Sequence, residues 1–139
     1  MILIQKEFRL KEHRRGFHLI TNDILREIPE LSDLNAGMCN VFICHTSASI
    51  CINENADPTV RIDLEMHFNK LAPEDSSYSH DFEGTDDMPA HIKSILIGPS
   101  LNIPVTAGRL NLGMWQGIYL NEHRNDGGRR KIIVTIFGI

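Results

Sequence analysis

The first ten residues alternate in character, and this period of two constrains the fold more than any other local pattern in the chain. Ile2, Ile4, Phe8 and Leu10 fall on one face, whereas the opposite face is mostly polar. Successive side chains of a strand point to opposite faces, so this pattern is typical of a half-buried β-strand. The chain therefore begins with a strand that has one side in a core.

The remaining apolar runs are short and bounded by turn-forming residues, which predicts further strands. These runs are 16–20, 38–44, 50–52, 103–105, 117–120 and 131–137, the last two separated by a turn at 125–128. Residues 45–49 join two of the runs, either as a hairpin turn between antiparallel strands or as a straight extended segment. Both alternatives cluster the same polar groups.

Three helices are indicated by residues that favour helix starts. Thr21 to Asp23 precede an apolar pattern that Pro29 ends, Asp57-Pro58 opens a second helix, and Asp87 with Pro89 opens a third. The second helix is expected to bury a stripe with a carboxylate flanking it. The stripe comprises Val60, Leu64, Phe68 and Leu71, and the flanking carboxylate is Asp63.

Length and charge limit the class of protein. The chain has 139 residues, which suits one compact domain, and its net charge of −4 offers no basic surface to DNA or RNA. The N-terminus lacks the pattern of a secretory signal, and no apolar run is long enough to span a membrane. Three unpaired cysteines fit free thiols in a reducing compartment, so we expect a cytoplasmic protein.

Polar side chains are concentrated between residues 45 and 57. An imidazole, three hydroxyls, two amides and two carboxylates follow the apolar run that ends at Cys44. Such residues often only cap turns or helices, but one or two suffice for that. The concentration predicts a ligand site at the end of a strand. The candidate ligand-binding residues here are Ser47, Ser49, Asn53 and Asn55.

Three histidines lie beside turns or helix starts: His45, His80 in the long polar loop 74–87, and His91 in the first turns of a helix. Together with Glu54 and Asp63 they have the residue types of an acid–base or metal site. The positive end of the helix dipole disfavours an imidazolium at His91, and the neutral ring binds metals. We therefore expect a divalent ion, magnesium or zinc, held by the three histidines, although no HExxH-type spacing specifies one.

Other residues offer contacts to a planar or phosphorylated ligand. Trp115 beside Gln116 lies among small residues and either stacks on a ligand or fills the core. Arg61, Lys93 and Arg109 are candidate phosphate contacts, with ordinary surface charge as the alternative.

Several short polar motifs occur together in the chain. They are His45-Thr46-Ser47-Ala48-Ser49, Asn53-Glu54-Asn55, Asp57-Pro58-Thr59-Val60-Arg61, Asp63, His80-Asp81, Glu83-Gly84, Asp86-Asp87-Met88-Pro89, His91-Ile92-Lys93-Ser94, and Gly113 with Trp115-Gln116-Gly117. This combination resembles the YjbQ family, and the resemblance runs from Arg15-Gly16-Phe17-His18 to the last strand. Met114 departs from it, because the family commonly has threonine there, and this argues against an essential hydroxyl.

The resemblance implies a single α+β domain over residues 1–139, with a mostly antiparallel sheet and two or three helices, assembled as a homotrimer. It also implies an enzyme similar to secondary thiamine-phosphate synthase, which joins a pyrimidine-methyl diphosphate to a thiazole phosphate. The expected catalytic residues are His45, Glu54, Asp63, His80 and His91. We expect the three histidines to converge on one pocket with Asp63 beside it, at or near a subunit boundary. The alternatives are a phosphate-ester hydrolase using the same pocket and a non-catalytic trimer that binds a metal or a small anion.

Overall fold

Two antiparallel sheets and three helices make up the described part of the chain, residues 1–75 and 77–139, in a computed structural model. A 3₁₀ segment, Pro29–Asp33, follows the first helix. The strands are β1 (Ile2–Arg9), β2 (Gly16–Leu19), β3 (Ala36–Ile43), β4 (Ala48–Glu54), β5 (Ser100–Thr106), β6 (Arg109–Leu110), β7 (Gln116–Glu122) and β8 (Lys131–Gly138), and the helices are α1 (Thr21–Glu27), α2 (Pro58–Leu71) and α3 (Asp87–Ile97).

The larger sheet has five strands in the order β1-β8-β3-β5-β6. The alternating N-terminal segment is β1, paired with β8 from Ile2 opposite Gly138 to Arg9 opposite Lys131. The inner face of this five-stranded sheet packs against the second sheet, β2-β7-β4, and the main core lies between the two sheets. Val41, Val134 and Leu120, each at most 1% exposed, are part of this core. The predicted α+β domain with mostly antiparallel pairing is confirmed.

The hairpin alternative for residues 45–49 is wrong. β3 pairs with β5 and β8 in the larger sheet, whereas β4 pairs with β7 in the smaller one, so residues 44–47 carry the chain from one sheet to the other. Arg130 holds this crossover, since its Nη2 donates to the carbonyl oxygen and the hydroxyl of Ser47 at 3.2 and 3.0 Å. A turn-like composition does not distinguish a hairpin from a crossover between layers.

Helices α2 and α3 cover the other side of the smaller sheet, α2 over β2 and α3 over β4. The predicted cap of α2 is present, because the Asp57 carboxylate accepts from the backbone N–H of Thr59 at 2.9 Å. The predicted buried stripe is only partly so: Leu71 is 54% exposed, and no residue of α2 is fully buried. No helix in the described ranges is long and apolar enough to cross a membrane. Cys39, Cys44 and Cys51 are free.

Candidate metal centre and adjoining cavity

Two histidines converge on one carboxylate at the start of α3. Asp87 is the first residue of the helix, and His91 lies one helical turn later, where side chains four residues apart are neighbours. His80 comes from the preceding loop. Asp87 Oδ2 lies 2.7 Å from His80 Nε2 and 3.2 Å from His91 Nε2. The three ligand atoms lie within 4.8 Å of one another, so they can surround a single ion.

The hydrogen-bonding of His91 tests whether a cation fits there. His91 Nδ1 lies 2.8 Å from the carbonyl oxygen of Thr46, which can only accept, so Nδ1 carries the hydrogen. In the neutral ring the lone pair of Nε2 then faces the carboxylate oxygen of Asp87. Two acceptors at 3.2 Å repel each other unless a cation, a proton or a metal ion, lies between them. The backbone contact is also the arrangement that orients histidine ligands of metals.

Arg124 holds the other side of this carboxylate. Its Nη1 donates to Asp87 Oδ1 at 2.6 Å, its Nε donates to Asp86 Oδ2 at 3.0 Å, and its Nη2 donates to the Glu83 carbonyl oxygen. Burial by itself would raise the pKa of Asp87, but the hydrogen bond from His80 and the charges of His91 and Arg124 outweigh it and lower that pKa. Asp87 is therefore an anion at neutral pH although it is only 2% exposed.

A mostly apolar cavity of about 470 Å³ adjoins the His80–Asp87–His91 cluster at His91. His45 and His91 line it together with Ala48, Ile95 and Pro99. His45 Nε2 accepts from the backbone N–H of Lys131 at 2.7 Å, so the neutral ring carries its hydrogen on Nδ1. Burial first, and then the charges of Arg130 and Arg9, lower the pKa of His45 and favour this neutral form.

The prediction of His45 as a metal ligand therefore needs correction. Its Nε2 is occupied by a backbone donor, and the third member of the cluster is Asp87. The structure brings His80 and His91 together, with ring centroids 5.4 Å apart, and places His45 beside His91 on the cavity. Asp63 is exposed on α2 and is not a member of the His80–Asp87–His91 cluster.

Strand β4 separates the two halves of the polar stretch 45–57, which the sequence presents as one cluster. Its seven residues span about 20 Å at roughly 3.3 Å per residue. At the far end Glu54 Oε2 accepts from the backbone N–H of Asp57, and Asn53 Oδ1 accepts from that of Glu54. These two side chains therefore serve local structure, and Glu54 is not part of the His80–Asp87–His91 cluster.

The Trp115 turn lies at that far end as well. The Asn55 side chain donates to the carbonyl oxygens of Met114 and Gln116, and Gln116 accepts from the backbone N–H of Gly113. Trp115 is 60% exposed, so it does not fill the core. The hydrogen bonds of Asn55 and Gln116 hold this turn at the far end of β4, away from the candidate metal centre.

Other predicted ligand-binding residues are buried or remote. Ser49, with no exposed surface, bonds to His123 Nε2 at 2.8 Å and to Asn121. Lys93, also with no exposed surface, donates to Asn69 Oδ1 at 2.7 Å, and burial lowers its pKa. Both belong to a polar layer between the smaller sheet and the helices. Arg109 is exposed on β6.

The sequence patterns did not identify Asp87 and Arg124 as residues of the centre. The spacing Asp87-x-x-x-His91 after a helix start would have shown that both side chains share one helix face. Arg124 carries no such signal, because it reaches Asp86 and Asp87 from the loop after β7.

The fold and this cluster define a small α+β domain with a candidate metal centre at a helix start. A family model described as "UPF0047 protein YjbQ-like" matches residues 6–139, and the chain belongs to that family. It is 53% identical over 134 residues to the UPF0047 protein YjbQ of Salmonella typhimurium and 49% identical to that of Escherichia coli O157:H7, covering 96% of this chain and 97% of each relative.

Solved structures of relatives have the same fold. A crystal structure of an uncharacterised conserved protein of the YjbQ/UPF0047 family from Clostridium acetobutylicum is 42% identical, with a TM-score of 0.83 over 95% of this chain and 99% of that one. A YbjQ-like protein of unknown function from Sulfolobus solfataricus has a TM-score of 0.88 over 99% of both chains. At 24% identity, this second likeness concerns the fold alone.

Proposed function

We propose that this protein is a metal-dependent enzyme acting on a small phosphorylated substrate, with the joining of a pyrimidine-methyl diphosphate to a thiazole phosphate as the first reaction to test. The observation that carries the proposal is the convergence of His80 Nε2, His91 Nε2 and Asp87 Oδ2, three ligand atoms that lie within 4.8 Å of one another. The adjoining apolar cavity suits the ring of such a substrate.

The donor set favours zinc or a similar first-row ion over magnesium. Magnesium prefers oxygen ligands and retains water, whereas imidazole suits zinc, iron, copper and nickel. His80 Nε2, His91 Nε2 and Asp87 Oδ2 would hold the ion. When bound, a divalent ion supplies positive charge that stabilises a leaving diphosphate.

The chain's own groups position the rest of the substrate. Ala48, Ile95 and Pro99 line the cavity with apolar surface, and His45 presents its Nδ1–H as a hydrogen-bond donor because Nε2 is held by Lys131. Ile95 is 83% exposed, and contact with a substrate ring would cover part of it. The charges of Arg9 and Lys131 act on His45 and would also attract an anionic ligand.

Metal binding is tested by elemental analysis of protein purified without chelator, followed by titration of the stripped protein with zinc and with magnesium. We expect about one zinc per chain, and much weaker binding in Asp87→Asn and His91→Ala. Asp63→Asn and His67→Ala change an exposed carboxylate and an exposed imidazole elsewhere and should bind as the wild type does. Equal zinc binding by Asp87→Asn and Asp63→Asn would exclude the centre.

The reaction is tested by following diphosphate release with both substrates present. The stripped protein and Asp87→Asn should be inactive, and zinc should restore activity to the stripped wild type only. Zinc binding without turnover would leave the non-catalytic alternative, a protein that binds a metal or an anion.

A phosphate-ester hydrolase is the second candidate, favoured by solvent access. The side chains of His80 and His91 are 36% and 27% exposed, so water can reach the centre. Phosphate release from a single substrate, without the thiazole partner, would identify this reaction.

The outer face of the larger sheet supports the proposed homotrimer. No helix of the described chain covers it, and Leu3, Met38 and Phe137 lie side by side across three strands. Leu3 is 71% and Phe137 is 42% exposed, which is unfavourable unless a second copy covers them. The free thiols fit the expected reducing, cytoplasmic setting.

A further inference from the structure

A second groove, of about 470 Å³, lies between the loop before β2 and the first turns of α2. Residues 14–18 form one wall, and Pro58, Arg61, Ile62 and Glu65 form the other. We refer to it as the Arg61 groove. It shares none of its lining residues with the cavity at His45 and His91.

Arg61 is held in place from one side. Its Nε donates to the hydroxyl of Tyr119 at 3.0 Å, and its guanidinium carbon lies 5.7 Å from the centroid of that ring. Tyr119 has no exposed surface, and its own hydroxyl donates to the Glu54 carbonyl oxygen at 2.5 Å. The two terminal nitrogens of Arg61 have no hydrogen-bond partner in the described residues. A fixed guanidinium with a free fork is preorganised for an oxyanion.

Arg14 adds a second cation on the facing wall. Its backbone carbonyl oxygen accepts from His18 Nε2 at 2.7 Å, which fixes the loop, while its side chain is exposed. No carboxylate within residues 1–75 or 77–139 pairs with the side chain of Arg14 or of Arg61. Gly16 has φ of +136°, a conformation that L side chains rarely adopt, so the loop depends on glycine there.

The one carboxylate in the lining, Glu65, is paired with Arg15. Glu65 Oε1 accepts from Arg15 Nε at 3.1 Å and from Asn69 at 3.3 Å, and Arg15 also pairs with Glu74. Three arginines and one glutamate line the groove, on a protein whose net charge is −4. This local excess of positive charge favours an anionic ligand.

The groove also has an apolar side. Ile62 is 66% exposed at its rim, and Pro58 and Phe17 lie beside it. A ligand that satisfied both sides would carry an anionic head and an apolar body.

We propose that the Arg61 groove binds a small phosphate monoester, with the phosphate between Arg61 and Arg14 and the organic group against Ile62, Pro58 and Phe17. A dianion matches two guanidinium groups better than a carboxylate does. This site is independent of the proposed metal centre and of the proposed reaction.

The test is calorimetric titration of the full chain with phenyl phosphate, inorganic phosphate and benzoate, with chelator present so that no metal at His80, Asp87 and His91 contributes. We expect phenyl phosphate to bind most tightly. Arg61→Gln should weaken it at least tenfold, whereas Arg109→Gln, an exposed arginine on β6, should leave it unchanged. Ile62→Ser should weaken phenyl phosphate several-fold and leave inorganic phosphate unaffected.

Several results would overturn the proposal. These are no binding of phenyl phosphate, equal losses in Arg61→Gln and Arg109→Gln, or binding abolished by Asp87→Asn. If Arg61→Gln fails to fold, Arg61→Lys serves instead, because it keeps the charge and lacks the guanidinium fork. It should bind phenyl phosphate several-fold more weakly than the wild type does. Methyl NMR of the wild type then locates the ligand directly: a shifted Ile62 signal supports the groove, and an unshifted one excludes it.

Discussion

Arg124 and Asp87 meet through Nη1 and Oδ1 at 2.6 Å, on the carboxylate oxygen opposite the one that faces His80 and His91. Asp87 therefore binds Arg124 through one carboxylate oxygen and faces the candidate metal ligands His80 and His91 with the other. Arg124 also donates to Asp86, so one guanidinium compensates two carboxylates that are 7% and 2% exposed. The stability of the α3 start and the electrostatics of the candidate centre therefore depend on the same side chain.

We predict that Arg124→Met destabilises the protein by about 3–5 kcal/mol, because it leaves two buried carboxylates without their cation. Arg109→Met removes an exposed arginine and should change the free energy of unfolding by less than about 0.5 kcal/mol. Urea unfolding measures both. Adding Asp86→Asn to Arg124→Met should recover part of the loss, because one uncompensated charge is removed. Equal effects of the two arginine variants would contradict the prediction.

Sequence patterns predicted the parts of this fold that depend on local periodicity and capping. The alternation of β1, the Asp57 cap and Pro58 at the start of α2 follow from rules that act within a few residues. The crossover at 44–47 could not be predicted, because which sheet a strand joins is decided by packing between distant strands. The predicted convergence of His45, His80 and His91, with Asp63 beside them, holds for His80 and His91, whereas the carboxylate of the cluster is Asp87, which the sequence patterns indicate only as a helix start.

The difference between the two ends of β4 explains why the predicted site includes residues that lie far from the His80–Asp87–His91 cluster. Ser49 and Asn53 are both polar residues of the same stretch of sequence. Ser49 is buried against His123, whereas Asn53 is exposed beside Glu54. Composition detects that polar groups are present and does not measure the length of strand between them. Arg61, predicted as a phosphate contact, lines a groove that is separate from the cavity at His45 and His91.

The stability of the protein should fall as the pH is lowered from about 6.5 toward 3. Burial, and then the charges of Lys93, Arg130 and Arg15, lower the pKa of His123 from 6.5 to about 3 in the folded protein. Between these values the unfolded chain binds a proton that the folded chain does not, so acid favours unfolding by up to about 1.4 kcal/mol per pH unit. His13, His18 and His45 act in the same direction, since their pKa values are also lowered.

His123→Gln should therefore reduce the slope of unfolding free energy against pH in this range. His67→Gln, which changes an exposed histidine, should keep the wild-type slope. The slope is the quantity to compare, because His123→Gln also loses packing against Phe17 at every pH. The same slope in all three proteins would show that His123 is protonated in the folded state.

Gly127 should not tolerate a side chain. A Cβ built there would lie 2.1 Å from Glu122 Oε1, and Glu122 is fully buried with Arg130 donating to both of its oxygens. Gly127→Ala must therefore displace a buried ion pair, and we expect a loss of about 1–3 kcal/mol. Gly113→Ala meets only the flexible end of Gln116 at 3.2 Å and serves as the control in the same denaturation experiment. A smaller loss for Gly127→Ala than for Gly113→Ala would be inconsistent with the close approach.

The proposed homotrimer predicts a light-scattering mass of three times 15.8 kDa at micromolar protein. If the outer face of the larger sheet forms the contact, Phe137→Lys should shift the mass toward one chain, because it places a charge in the apolar row with Leu3 and Met38. Ile62→Lys introduces the same charge at an exposed isoleucine of α2 and should keep the trimer. Dissociation by Ile62→Lys but not by Phe137→Lys would move the interface to α2, and a wild-type mass of one chain would remove the assembly altogether.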